Sequence, residues 1–204
     1  GTLVMIEDIS NEKRAKSTLS RYMDPGLADQ MLSETNQDQI LGGNDQIATI
    51  LFSDVRSFTT ITEKLGAQAT VGLLNDYFEL MVECISEQGG MLDKFIGDAI
   101  MAAFGIPISH DDDEDRALRA GISMIQSLWQ WNTKRQSNGE LEIDMGLGLN
   151  TDSIVAGNIG SRKRMDYTMI GDGVNLAARL ESACKQYGAR ILVSEYTVKK
   201  LKGV

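Results

Sequence analysis

Met91-Leu92-Asp93-Lys94-Phe95-Ile96-Gly97-Asp98-Ala99-Ile100-Met101-Ala102-Ala103-Phe104 consists of two apolar, β-prone runs hinged on Gly97-Asp98. That dipeptide suits a tight two-residue turn, so the stretch predicts a β-hairpin. Upstream, Ile47-Ala48-Thr49-Ile50-Leu51-Phe52-Ser53-Asp54 predicts a buried strand that ends on a carboxylate. Between the two, Val71, Leu74, Phe78, Met81, Val82 and Ile85 recur at helical spacing, and Gly89-Gly90 ends that helix. Downstream, Leu118, Ile122, Ile125 and Trp129 mark a second helix. Residues 141–150 and 152–159 predict two more strands, the first alternating in Leu141, Ile143, Met145, Leu147 and Leu149. A third helix covers 173–187, with Leu176, Leu180, Ala183 and Tyr187 along one side, and Ile191-Leu192-Val193 is a last short strand. This order predicts an α+β fold: a ferredoxin-like βαββαβ core whose antiparallel-rich sheet carries helices on one face.

At 204 residues the chain can bury a full core. Its 42% hydrophobic and 24% charged content is ordinary for a globular protein. A net charge of −9 argues against nucleic acid as a partner, because phosphate neutralisation needs clustered Lys and Arg. The short run Arg162-Lys163-Arg164 reads as a solvated loop tip. Cys84 and Cys184 lack any metal-ligand spacing and read as small buried hydrophobes in a reducing compartment. With no stretch of membrane-spanning length and no signal-peptide pattern, the expectation is a cytoplasmic location without membrane contact. The acidic run Asp111-Asp112-Asp113-Glu114-Asp115 beside His110 reads as a complement to the positive end of the helix that starts there.

Residues 1–45 differ from the rest. Val4-Met5-Ile6-Glu7-Asp8-Ile9 looks like a strand end, a polar helix starts at Asn11, and Asp24-Pro25 pairs an N-cap with Pro at the first helical position. A polar linker then ends in Gly42-Gly43. Such a segment cannot build its own core. The chain therefore divides into an upstream coupling segment, 1–45, and a main domain, 46–204.

Asp54 closes one strand and Asp98 sits on the hairpin turn. Carboxylates so placed suit hard cations such as Mg²⁺, which takes one or two protein carboxylates and completes its shell with water and phosphate oxygens. Two ions held by shared carboxylates clamp an in-line displacement at phosphorus. Asn175 and Arg179, four apart, emerge on one face of the third helix.

Phe52-Ser53-Asp54-Val55-Arg56-Ser57-Phe58-Thr59, then Asp93-Lys94-Phe95-Ile96-Gly97-Asp98-Ala99, then Asp166-Tyr167-Thr168-Met169-Ile170-Gly171-Asp172-Gly173-Val174-Asn175-Leu176-Ala177-Ala178-Arg179-Leu180 stand in one chain and in one order. Together they resemble the signature segments of class III adenylyl and guanylyl cyclase catalytic domains, over roughly 46–201. The resemblance implies a palm-like cyclase fold and cyclisation of ATP to 3′,5′-cyclic AMP and pyrophosphate. It implies two divalent cations, Mg²⁺ with Mn²⁺ as a substitute, on Asp54, Asp98 and the Val55 backbone carbonyl. Asn175 would orient the ribose and Arg179 would stabilise charge on the α-phosphate through its planar donor fork.

Lys94 and Thr168 fall where the family reads the base. Lys94 can only donate, which fits adenine N1 and opposes the N1–H of guanine. Thr168 can accept from adenine N6, but its hydroxyl can also donate, so it discriminates less than the Asp of many members. Thr there resembles a subgroup that includes soluble, bicarbonate-responsive cyclases. Metal half and base-and-ribose half come from opposite partners in this family. The chain carries both, which implies a homodimer with two equivalent sites. The family's final strands, and a basic residue for the terminal phosphates, would lie beyond Val204. The first 45 residues resemble the tail of a PAS-type sensor and a signalling helix, which implies a sensor in cis. A diguanylate cyclase is disfavoured, since Ile96-Gly97-Asp98-Ala99 stands in place of its signature hairpin. A catalytically silent, regulatory cyclase-like domain is the alternative from another class.

Overall fold

The computed structural model describes residues 42–161 and 164–203. The coupling segment up to residue 41 and the loop tip at 162–163 lie outside them. Strand β1 spans Gly42–Val55, so it begins within the stretch read from sequence as linker. Helices α1 (Phe58–Leu65) and α2 (Ala67–Glu87) follow. The hairpin is present as β2 (Met91–Ile96) and β3 (Ala99–Phe104), turning on Gly97 at φ 66°, a left-handed conformation that glycine adopts without strain. Then come α3 (Asp113–Ser137), β4 (Met145–Ser161), β5 (Arg164–Ile170), α4 (Asp172–Tyr187), β6 (Ile191–Val193) and the single turn α5 (Glu195–Val198).

The sheet runs β2-β3-β1-β4-β5, with β6 added in parallel to β4. Its first four strands and the helices between them form the expected antiparallel βαββαβ core. Alternate residues feed two cores. Leu51 and Val55 of β1, Ile100, Ala102 and Phe104 of β3, and Met145, Leu147 and Leu149 of β4 pack under α2 and α3. Ala48 and Ile50, with Met101 and Ala103, face the other way and join Ile154, Met169, Val174 and Ala177. Each fully buried Leu, Ile or Phe in these layers contributes about 1.5–3 kcal/mol.

The helices of the core unit share one face, and α4 adds a layer on the other. It lies directly on β4, where Gly148 has no side chain to hold it off: a Cβ there would meet the Ala177 carbonyl oxygen at 2.3 Å. Asn150, buried in β4, donates to the Gly173 carbonyl at 2.9 Å and fixes the start of α4.

The sequence pattern differs from the structure in three places. Residues 145–161 form one strand rather than two, because β1 runs alongside β4 in unbroken register from Val55↔Met145 to Gly42↔Asn158. Leu141 and Ile143 alternate like a strand, yet their backbone partners are side chains at the end of α3. Asn132 pairs with both the N–H and C=O of Ile143 (2.9 and 2.7 Å), and Arg135 donates to the Leu141 carbonyl. Finally, Val71, Ile122 and Trp129 are exposed. The buried stripes pass instead through Thr70, Leu73, Tyr77 and Cys84 on α2 and through Ala117, Ala120, Met124 and Leu128 on α3. Polar or small members hid those stripes from a periodicity count.

Both cysteines are buried free thiols. The acidic run does more than complement a helix end. Asp113 accepts from the His110 amide (2.8 Å) and the Ser109 hydroxyl (3.1 Å), and Asp115 accepts from the Lys202 and Gly203 amides.

Candidate active site

The register Ser53↔Ile100 carries the last residues of β1 past the end of β3, level with the hairpin turn. Asp54 and Asp98 meet there. Burial first, and then the hydrogen bond and charge of Asp54, push the Asp98 carboxyl up to about 6, while a backbone hydrogen bond from Val55 opposes the rise. Beneath them Tyr77 is buried, its hydroxyl 3.8 Å from the Met145 sulfur. Burial, aided by the charges of Asp54, Asp98 and Glu181, raises the phenol far above its ordinary value and keeps it protonated. Two carboxylates forced together beside the Val55 backbone form a hard-oxygen pair under like-charge strain. A divalent cation relieves that strain, so Asp54, Val55 and Asp98 fit one.

Glu181 had no place in the sequence reading. Two residues after Arg179 on α4, it points inward towards the Gly146 stretch of β4, where Gly146 pairs with Asp54. Burial raises its carboxyl, and the Asp54 charge raises it further. An i+2 offset from Arg179 was the available signal, since it puts the two side chains on opposite sides of a helix.

Lys94 and Thr168 lie on β2 and β5, the two ends of the sheet path, yet they converge. Asp93 joins them: the Thr168 hydroxyl donates to Asp93 Oδ2 at 3.1 Å, and Lys94 Nζ lies 3.4 Å from the same oxygen. A β-bulge makes this possible. Leu92 pairs with Ala102 and Lys94 with Met101, so Asp93 is the extra residue. One residue of slip moves every following side chain to the other sheet face. Lys94 thereby stands with Met101 on the face reached by β5, and Phe95 goes to the helix face, stacked on Phe78 of α2 at 4.1 Å.

Asn175 and Arg179 are exposed on the outer side of α4. Among the described residues, neither side chain has a hydrogen-bond or ion-pair partner. Arg179 borders an open depression with Ala178, Ser182, Ala183 and Gln186. Within one chain the structure thus gathers Asp54, Val55 and Asp98, gathers Lys94 and Thr168 around Asp93, and leaves the Asn175/Arg179 pair facing outward.

The architecture agrees with what comparison with known proteins returns. Residues 43–204 match the adenylate and guanylate cyclase catalytic domain family, and the chain belongs to it. An adenylate cyclase of Anabaena cylindrica is 41% identical over 157 residues, which is 75% of this chain and 30% of that protein. The solved guanylyl cyclase Cya2 is 39% identical with a TM-score of 0.73, covering 80% of this chain and 82% of that one. The adenylyl cyclase CyaB from P. aeruginosa is 36% identical with a TM-score of 0.72, covering 78% and 82%. The chain spans about a third of the length of the Anabaena relative. Cyclases of this class work with divalent metal ions. Among the described residues, no helix is long and apolar enough to cross a membrane.

Proposed function

We propose that this domain is an adenylyl cyclase, converting ATP to 3′,5′-cyclic AMP and pyrophosphate at two equivalent sites of a homodimer. The observation that carries the choice of substrate is the convergence of Lys94 and Thr168 on one buried carboxylate. It presents an obligate donor and a hydroxyl side by side, the complement of adenine N1 and N6.

Asp54 and Asp98, with the Val55 carbonyl, would hold two divalent cations, Mg²⁺ or Mn²⁺ in its place. Bound there, such ions would neutralise charge on the triphosphate and would acidify the ribose 3′-hydroxyl. In the reaction the 3′-oxygen forms a bond to the α-phosphorus, the bond to the bridging oxygen of the leaving pyrophosphate breaks, and the 3′-hydroxyl proton passes to solvent. Asn175 of one protomer orients the ribose over the carboxylates of its partner. Arg179 meets the charge that grows on the α-phosphate, in the planar geometry a guanidinium offers. The outward, unpartnered setting of both side chains supports their use across an interface.

Purified dimer incubated with ATP or GTP tests this reading. Cyclic AMP and pyrophosphate should form in equal amounts, with ATP preferred. Cyclic GMP as the main product would replace the adenylyl reading with a guanylyl one, and no turnover of either would favour a silent regulatory domain.

Two finer proposals accompany it. Thr168 resembles the residue of a subgroup that includes bicarbonate-responsive cyclases, which supports the proposal that activity at fixed pH rises when bicarbonate replaces chloride; no change would end that idea. The first 45 residues would couple the domain to a PAS-like sensor through dimer geometry, and removing residues 1–41, which precede β1, should change the activity of the dimer.

A further inference from the structure

Resting on the adenylyl reading, we infer that Asp93 is the positioning residue that makes Thr168 select adenine. A threonine hydroxyl carries one proton and two lone pairs, so by itself it could accept from the N6 amino group of adenine or donate to O6 of guanine. In this chain the proton is already committed. It points at Asp93 Oδ2, 3.1 Å away, and an ionised carboxylate can only accept. What Thr168 offers the base is then a lone pair, which suits an N6 amino group and repels a guanine O6.

Three independent features hold Asp93 to this task. It is the unpaired residue of the β2 bulge, so ladder pairing does not dictate its orientation. Its side chain has no solvent exposure, so water does not compete for the Thr168 proton. The Lys94 ammonium lies 3.4 Å from the same oxygen that takes that proton, which favours the ionised form and ties both base-reading side chains to one anchor. The other oxygen, Oδ1, is buried without a hydrogen-bond partner. A buried carboxylate with an unsatisfied oxygen is costly, and apolar residues there would be cheaper for stability alone. Such a cost fits a residue kept for specificity. Burial raises the Asp93 carboxyl while Lys94 and Thr168 pull it down, with Asp166 adding to the rise.

The test is the ratio of kcat/KM for ATP to that for GTP in the full-length dimer. Asp93→Ala frees the hydroxyl to rotate, and the ratio should fall about 5- to 10-fold, with part of the change a gain on GTP. In a Thr168→Val background the same Asp93→Ala change should move the ratio less than about twofold, because no hydroxyl remains to orient. An unchanged ratio in Asp93→Ala, or an equal fall in both backgrounds, overturns the inference. Should Asp93→Ala not fold, Thr168→Val alone decides. A loss of ATP turnover about 5-fold or more with GTP nearly untouched supports an acceptor-only hydroxyl, and equal losses on both nucleotides refute it. A native chain that prefers GTP, or cyclises neither nucleotide, removes the adenylyl reading and this inference together. An ATP-preferring native chain with insensitive variants removes only the inference.

Discussion

The carboxylate end of the sheet and the outer side of α4 hold their polar groups under opposite conditions. Asp54 and Asp98 are pressed together and partly buried; burial first, and then the hydrogen bond and charge of Asp54, lift the Asp98 carboxyl to about 6. Asn175 and Arg179 stand exposed with nothing to pair with among the described residues. One region has too much charge of one sign, and the other has donors without acceptors. Each supplies what the other lacks, but α4 presents its donors outward while Glu181, on its inner side, faces its own Asp54. On the proposed reading a second copy of the chain resolves this, with phosphate and metal between the two regions.

The largest effect expected from breaking this arrangement is at the carboxylates. Asp54→Ala or Asp98→Ala should lower cyclic AMP formation by a factor on the order of 10³ or more in Mg²⁺ or Mn²⁺, with the dimer intact by sedimentation. Substantial residual turnover would sink the metal assignment.

Complementation probes whether the two regions act across an interface. Arg179→Ala alone should cost about 10²-fold, in line with the loss of one charge-stabilising donor. Mixed in equal amounts with Asp54→Ala, about half the dimers become heterodimers that hold one intact and one doubly damaged site, so activity should return to about a quarter of native. A mixture as inactive as its components would place both residues in the same site of one protomer.

Changing Lys94 to Glu and Thr168 to Cys reverses the donor at N1, and the ATP to GTP ratio should drop about 10-fold or more. If the ratio holds, the two residues do not read the base.

The smallest effect concerns stability. The folded-state value of about 6 for Asp98 lies above the ordinary 3.8, so ionisation favours unfolding. The stabilising contribution of the protonated form is complete below about pH 4 and is lost as pH rises through 6. In EDTA the Tm should therefore fall over that window. Asp98→Asn should raise the Tm at pH 7.5 by about 2–4 °C, equivalent to about 1 kcal/mol after allowing for solvent screening. Added Mg²⁺ should stabilise the native chain and not the variant. A Tm that is flat with pH in EDTA would mean that the Asp98 carboxyl is not raised in the folded protein.

Much of this was legible along the chain. The Gly97-Asp98 turn, the apolar run into Asp54 and the four-residue step from Asn175 to Arg179 depend on local geometry, in which turn chemistry and helical or strand period set where a side chain emerges. Those local rules were enough for the βαββαβ core, the two neighbouring carboxylates and the outward helix pair. They gave the α2 helix, with Met81 and Ile85 in its core, but not Thr70, Tyr77 and Cys84, which complete a buried stripe that an apolar count does not register. They also misread Leu141 and Ile143, whose alternation is satisfied by Asn132 and Arg135 rather than by a strand.

What the sequence by itself determined is the inventory of chemical groups and the local elements that carry them. Only the tertiary structure decided that Lys94 and Thr168 converge on the Asp93 carboxylate. A one-residue bulge turns Lys94 to the face where β5 arrives, whose Thr168 stands 75 positions after Asp93. No periodicity reveals that slip, because a bulge is set by what the rest of the sheet demands of the strand and not by the residues of the strand itself.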